Sequence, residues 1–186
     1  MIDLYPFCGV DPARDYLCRP FRYGLFTYAT NGHIMVRVAP VAGSEPLPEP
    51  AARWNVRQPL DWCHAGANFV GLPDGALDRL PVFEEIPCFE CGSAPRIDPE
   101  CESCGGVGFD YKMISAAIGG ALFHARYIRM VLELPGVELA LPVMPRRDND
   151  FQALAFRFDG GIGALCLLRS PYADHVGEII PPRQGD

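Results

Sequence analysis

The sequence contains no G-x-S-x-G, no H-E-x-x-H and no G-x-x-x-x-G-K-[ST]. The nucleophile elbow of hydrolases, the zinc-protease helix and the phosphate-cradling P-loop therefore lack their starting residues. The amino terminus, Met-Ile-Asp-Leu-Tyr-Pro, has neither the basic start nor the apolar run of a secretory signal. No apolar stretch approaches the roughly 18 residues of a membrane-spanning helix. These absences lead to the expectation of a soluble, cytoplasmic chain with no membrane partner. Composition argues against disorder, since 49% of the residues are hydrophobic and only 21% charged. A length of 186 residues supports one good core with a small appendage rather than two full domains.

What is present is cysteine in a metal-ligand pattern. Two C-x-x-C-G knuckles, Cys88-Phe89-Glu90-Cys91-Gly92 and Cys101-Glu102-Ser103-Cys104-Gly105, stand nine residues apart. Each bend offers two thiolates, and four soft thiolates at about 2.3 Å satisfy a tetrahedral Zn2+. The glycine after each pair can close the knuckle in the left-handed conformation that a Cβ disfavours. Cys88, Cys91, Cys101 and Cys104 are therefore the expected ligands of a structural Zn2+, because a catalytic zinc keeps one position open. The second knuckle continues as Gly105-Gly106-Val107-Gly108 and so resembles a C-x-x-C-x-G-x-G repeat of the DnaJ cysteine-rich region. No J-domain His-Pro-Asp triplet occurs, and the resemblance implies no co-chaperone activity. Cys8, Cys18, Cys63 and Cys166 sit singly and read as small buried hydrophobes in a reducing compartment.

The net charge of −7 is unevenly distributed. Between residues 84 and 110, Glu84, Glu85, Glu90, Asp98, Glu100, Glu102 and Asp110 oppose only Arg96, a local −6 that leaves −1 for the rest. Four thiolates around Zn2+ add roughly −2 more. The zinc segment is expected to repel phosphate and to present an acidic surface to a protein partner.

Along the chain, Asp11-Pro12 opens a short helix that ends before Pro20. Residues 25 to 38 read as a β-hairpin, with Asn31-Gly32 suited to a type I′ turn and Ile34, Val36 and Val38 alternating with His33, Met35 and Arg37. From 40 to 60 the chain is proline-rich and aperiodic, a surface loop, and 61 to 83 shows no clear pattern. Phe109 to Phe123 reads as a strand region interrupted at Gly119-Gly120. A helix over 124–134 follows, with Tyr127, Val131 and Leu134 on one face and Arg126, Arg129 and Glu133 on the other. Three strands complete the pattern: Val137 to Val143, Ala153 to Phe158 and Ile162 to Leu168, the last two joined at Asp159-Gly160-Gly161. Leu154, Phe156 and Phe158 are expected to share a face with Ile162, Ala164, Cys166 and Leu168.

The doubled order of helix then strands, with Tyr28-Ala29-Thr30-Asn31-Gly32-His33 and Ala125-Arg126-Tyr127-Ile128-Arg129, resembles the DNA sliding-clamp fold over roughly residues 5 to 40 and 109 to 170. Asn31 stands where clamps carry aspartate, and Ile128 where they carry leucine. The resemblance implies an α+β fold of antiparallel sheets with two short helices on one face. It implies one clamp-like domain, residues 1–83 and 109–180, with a zinc-knuckle insertion at 84–108 and a tail at 181–186. Because clamps encircle DNA with six such domains, a ring built from this chain implies a homo-oligomer. The family's DNA-facing helices place Arg14, Arg19, Arg22, Arg126 and Arg129 as contacts to duplex phosphates, independent of base sequence.

The favoured reading is thus a non-enzymatic accessory or adaptor factor in DNA metabolism. A protein-interaction module that never touches DNA is the alternative. An enzyme built on Cys63-His64, or on Asp148 and Asp150, ranks third, since sequence neighbours generally point apart and Asp148-Asn149-Asp150 reads as a solvated turn.

Overall fold

Period-two stretches of the chain become strands, thirteen of them among the described residues, together with two α-helices. The computed structural model describes residues 2–10, 12–48, 56–83, 85–92, 101, 104, 108–141 and 153–181. The fold is α+β. One sheet holds eight strands: β1 (Phe21–Tyr23), β2 (Phe26–Thr30), β3 (Ile34–Val38), β4 (Glu45–Pro46), β5 (Phe69–Gly71), β10 (Glu138–Ala140), β11 (Ala153–Phe158) and β12 (Gly161–Cys166). Their order is β4-β1-β2-β3-β12-β11-β10-β5, antiparallel except where β4 joins β1. The order is mirrored about the central β3–β12 pair, with β1-β2-β3 on one side and β10-β11-β12 on the other. A second sheet places β8 (Ile114–Ile118) between β9 (Ala121–His124) and a parallel β13 (Asp174–Ile180). A two-stranded ribbon pairs β6 (Glu85–Pro87) with β7 (Phe109–Tyr111).

Alternation along the central strands gives the eight-stranded sheet two apolar faces. Ile34, Val36, Leu154, Phe156 and Leu165 meet Phe123, Ile128 and Val131 in the larger core, which α2 (Ala125–Leu132) and the second sheet cover. Tyr28, Ala155 and Ala164 face the other way, against Leu60 and Cys63 of α1 (Arg57–His64). The expected pair of helices on one sheet face is therefore not formed. Residues 12–17 are a 3-10 stretch broken at Arg14 (φ −126°, ψ 53°), and their buried Leu17 joins the α1 side rather than the α2 side. It is Phe7, from the preceding 3-10 turn, that packs with α2.

The hairpin over 25–38 forms, with a different turn. Thr30 pairs with Met35, leaving four loop residues instead of two. The Asn31 side-chain oxygen accepts from the N–H groups of His33 (2.9 Å) and Ile34 (3.1 Å), which replaces the tight backbone turn with an Asx turn. The two-residue loop with both φ values positive occurs instead at Gly119 (59°) and Gly120 (80°), between β8 and β9.

On β12, Phe156 faces Gly163 and Phe158 faces Gly161, so the residues sharing the Leu154–Phe158 face are Gly161, Gly163 and Leu165. Ile162 and Ala164, expected on that face, point into the α1 core. The two-residue turn at Asp159-Gly160 sets this register. A Cβ on Gly161 would lie 2.5 Å from the Phe158 ring, and one on Gly163 would collide with Phe156, so both rings lie over bare backbone.

Candidate metal centre

The four knuckle cysteines converge. All four Sγ atoms lie within 4.8 Å of one another. Cys88 and Cys101 sulfurs are 3.8 Å apart and those of Cys91 and Cys104 are 3.6 Å apart. A regular tetrahedron with metal–sulfur distances of about 2.3 Å has edges of about 3.8 Å. A disulfide needs about 2.05 Å. The sulfurs thus have the spacing of ligands around one ion and not of cross-links.

The ribbon supplies the geometry. Cys88 directly follows β6 and Gly108 directly precedes β7, and the Cys88 N–H donates to the Gly108 carbonyl (3.1 Å), extending the ladder by one rung. Gly92 turns with φ 63°, its N–H donating to the Cys88 carbonyl (2.8 Å), as a closed knuckle requires. The matching Gly105 lies outside the described residues. Gly108 has φ 81° and donates its N–H to the Cys104 sulfur (3.2 Å), a bond that orients a ligand from behind. Cys88, Cys101 and Cys104 are buried and Cys91 is half-buried.

Main-chain N–H groups of Cys91 and Glu90 hold the Cys88 thiol down at about 7, whereas burial pushes Cys91 up to about 12. Filling the site with a divalent ion must therefore expel protons. Of the acidic residues expected around it, Glu85, Glu90 and Asp110 are described and exposed; Glu84, Asp98, Glu100 and Glu102 lie outside the described residues, as does Arg96.

The ribbon also carries apolar surface. Phe89, between Cys88 and Cys91, is 81% exposed and Ile86 is 40% exposed, and Val82, on the chain leading into the ribbon, is 85% exposed. Sequence reasoning passed over Phe89, although an aromatic ring inside a four-residue knuckle has no core to enter. On the body side, the Arg126 guanidinium stacks on Tyr111 of β7 at 3.8 Å and ties the ribbon to α2.

The five arginines do not form one array. Arg129 donates to the carbonyls of Leu80 (3.1 Å) and Pro81 (3.2 Å) and pairs with Glu133 (3.4 Å). Arg19 pairs with Glu45 (3.0 Å) on the far edge of the large sheet. Arg22 is exposed on β1. Of the five, Arg14 and Arg126 share a surface, lining a cavity of about 250 Å³ with Asn31 and Tyr127.

Cys63 is buried against the large sheet with its thiol pushed up to about 11 by burial, and the His64 Nε2 is engaged with the Gly163 carbonyl (3.0 Å). Asp148 and Asp150 lie outside the described residues. Among the described residues no helix is long and apolar enough to cross a membrane. Comparison of the chain with protein-family models, curated proteins and solved structures finds no match in any of the three. The likeness to sliding clamps and to DnaJ repeats rests on the motifs alone.

Proposed function

We propose that this chain is a non-enzymatic adaptor in which Zn2+, held by Cys88, Cys91, Cys101 and Cys104, stiffens the ribbon into a docking surface for a protein partner. The observation that carries this reading is the closed four-sulfur cluster beneath exposed Phe89. Four thiolates leave a zinc ion no open position for substrate, so its contribution is to fold the segment around it. A ring held outward on a fixed knuckle is the kind of anchor that fills a pocket on a partner, and Glu85, Glu90 and Asp110 suit a basic rim around that pocket. The test is to place a photo-crosslinking phenylalanine at position 89 and identify adducts formed in the producing cell. A defined partner, lost on Cys101→Ser, is expected; adducts absent, or unchanged by Cys101→Ser, overturn it.

A second reading, contact with duplex DNA in a clamp-like assembly, rests on Arg14 and Arg126, which line one cavity, and it loses both if that cavity takes a small phosphate instead. It predicts salt-sensitive, sequence-independent binding that Arg126→Glu weakens. Fluorescence anisotropy with a labelled duplex at low salt decides it, and a wild-type protein that does not bind removes it.

A further inference from the structure

The cavity lined by Arg14 and Arg126 is where the first thirty residues meet the start of α2. Pro6, Cys8 and Gly9 form one wall, the Asn31 turn another, and Arg126 and Tyr127 the third. No acidic side chain is among the described residues lining it, and Asp110 is only the least of the influences on Tyr127. We infer that this cavity is a binding site for the dianionic phosphate group of a small molecule, either free phosphate or a phosphomonoester.

The donors are suited to that charge. The Arg126 guanidinium lies with its carbon 3.8 Å over the centre of the Tyr111 ring, a contact that does not consume its N–H donors. It makes no ion pair among the described residues. Arg14 already has a partner, and a guanidinium with five N–H donors accommodates a second acceptor. The Asn31 oxygen is occupied by the N–H groups of His33 and Ile34, so its amide nitrogen is the end available as a donor. Tyr127 also lines the cavity, and burial holds its phenol above the ordinary range so that it keeps its proton as a donor. The ring is fixed between His33 (5.9 Å) and His124 (4.9 Å), so the hydroxyl is positioned before any ligand arrives.

Size separates this site from a DNA track. About 250 Å³ admits a phosphate with part of its ester group, whereas a continuous diester backbone needs an open groove. The inference is independent of the docking role of the ribbon.

The test is an NMR titration of the full zinc-loaded chain with inorganic phosphate, with AMP, and with a duplex lacking terminal phosphates. Phosphate and AMP are expected to shift the amides of Gly9, Asn31 and Tyr127, and the duplex is expected to leave them in place. Tighter binding of AMP would assign the site to monoesters, and equal binding to the phosphate group alone; either supports the inference. Arg126→Gln and Arg14→Gln are each expected to weaken binding by about tenfold to a hundredfold, the loss of a charge-assisted hydrogen bond. Arg126→Lys keeps the charge and guards against a folding defect, and it is expected to bind between the wild type and Arg126→Gln. No shift with phosphate or AMP at millimolar concentration overturns the inference, as does equal binding by both glutamine variants.

Discussion

Around α2 the chain buries Phe123, Ile128, Val131 and Phe156 against one another, whereas between Cys88 and Cys104 the described residues bury almost nothing but sulfur. The body is held by apolar area removed from water, at roughly 25 cal/mol per Å². The ribbon is three residues per strand, too short for a two-stranded sheet to stand alone in water. On the proposed reading, what the ribbon lacks in core it draws from a metal held by its four cysteines. The two regions should consequently fail under different insults, one to denaturant and truncation of apolar groups, the other to chelation and acid.

The largest separation is expected from Cys101→Ser. Structural zinc sites bind with apparent energies of about 10–16 kcal/mol at neutral pH, so losing one ligand is expected to empty the site and unpair β6 from β7. Elemental analysis checks the metal, and hydrogen exchange over 85–92 and 108–111 checks the ribbon. The thermal midpoint of the body is expected to change little. Collapse of the whole protein would mean that the ribbon belongs to the body and that the comparison is false.

The converse variant is Phe156→Ala. Removing a fully buried ring is expected to cost about 3–5 kcal/mol, read as a lower urea midpoint, with one metal per chain retained. Loss of metal in step with loss of stability would show coupling through the Arg126–Tyr111 stack.

The smallest effect lies at the joint. Burial, helped by nearby Arg126 and His33, holds His124 down to about 4, while its Nδ1 accepts from the Arg126 N–H (3.3 Å) at the start of α2. An unfolded His124 takes up a proton near its ordinary 6.5 and the folded one resists until about 4. Its contribution is thus complete above pH 6.5 and fades as the pH falls toward 4. His124→Asn keeps a capping acceptor and removes the titration. In a Cys101→Ser background, where acid has no metal to release, this change is expected to flatten the decline of thermal midpoint between pH 6.5 and 4. A decline as steep as in the parent would assign it to other groups.

Legibility in the sequence followed the same division. The clustering of the four cysteines could be read because the spacing of a knuckle is a local property, and β11 was bounded correctly because its alternation runs unbroken from Ala153 to Phe158. Helix α1 was missed. Val56, Leu60 and Cys63 do recur at helical spacing, but they follow a proline-rich run and Pro59 sits among them, tolerated only because first-turn N–H groups have no helical partner. Strand β13 gave no signal, since Gly177 (φ 91°) interrupts it with a register shift and most of its side chains are exposed. The divided arginines could not be foreseen, because whether Arg129 faces solvent or the carbonyls of Leu80 and Pro81 depends on how a distant loop crosses α2. The two-core sheet was hidden for a similar reason: face assignments on β12 hinge on a single residue of register.

That register has a consequence for how the chain specifies its fold. Only one alignment of β11 with β12 gives both Phe156 and Phe158 a glycine to lie across. A slip by two residues in either direction leaves at least one ring without one, and a slip by one turns both rings toward the α1 side. The native alignment is thus the one that offers both rings to the larger core with β3 paired to β12 at the centre of the sheet. Glycine, ordinarily a weak strand former, here specifies the register of the hairpin.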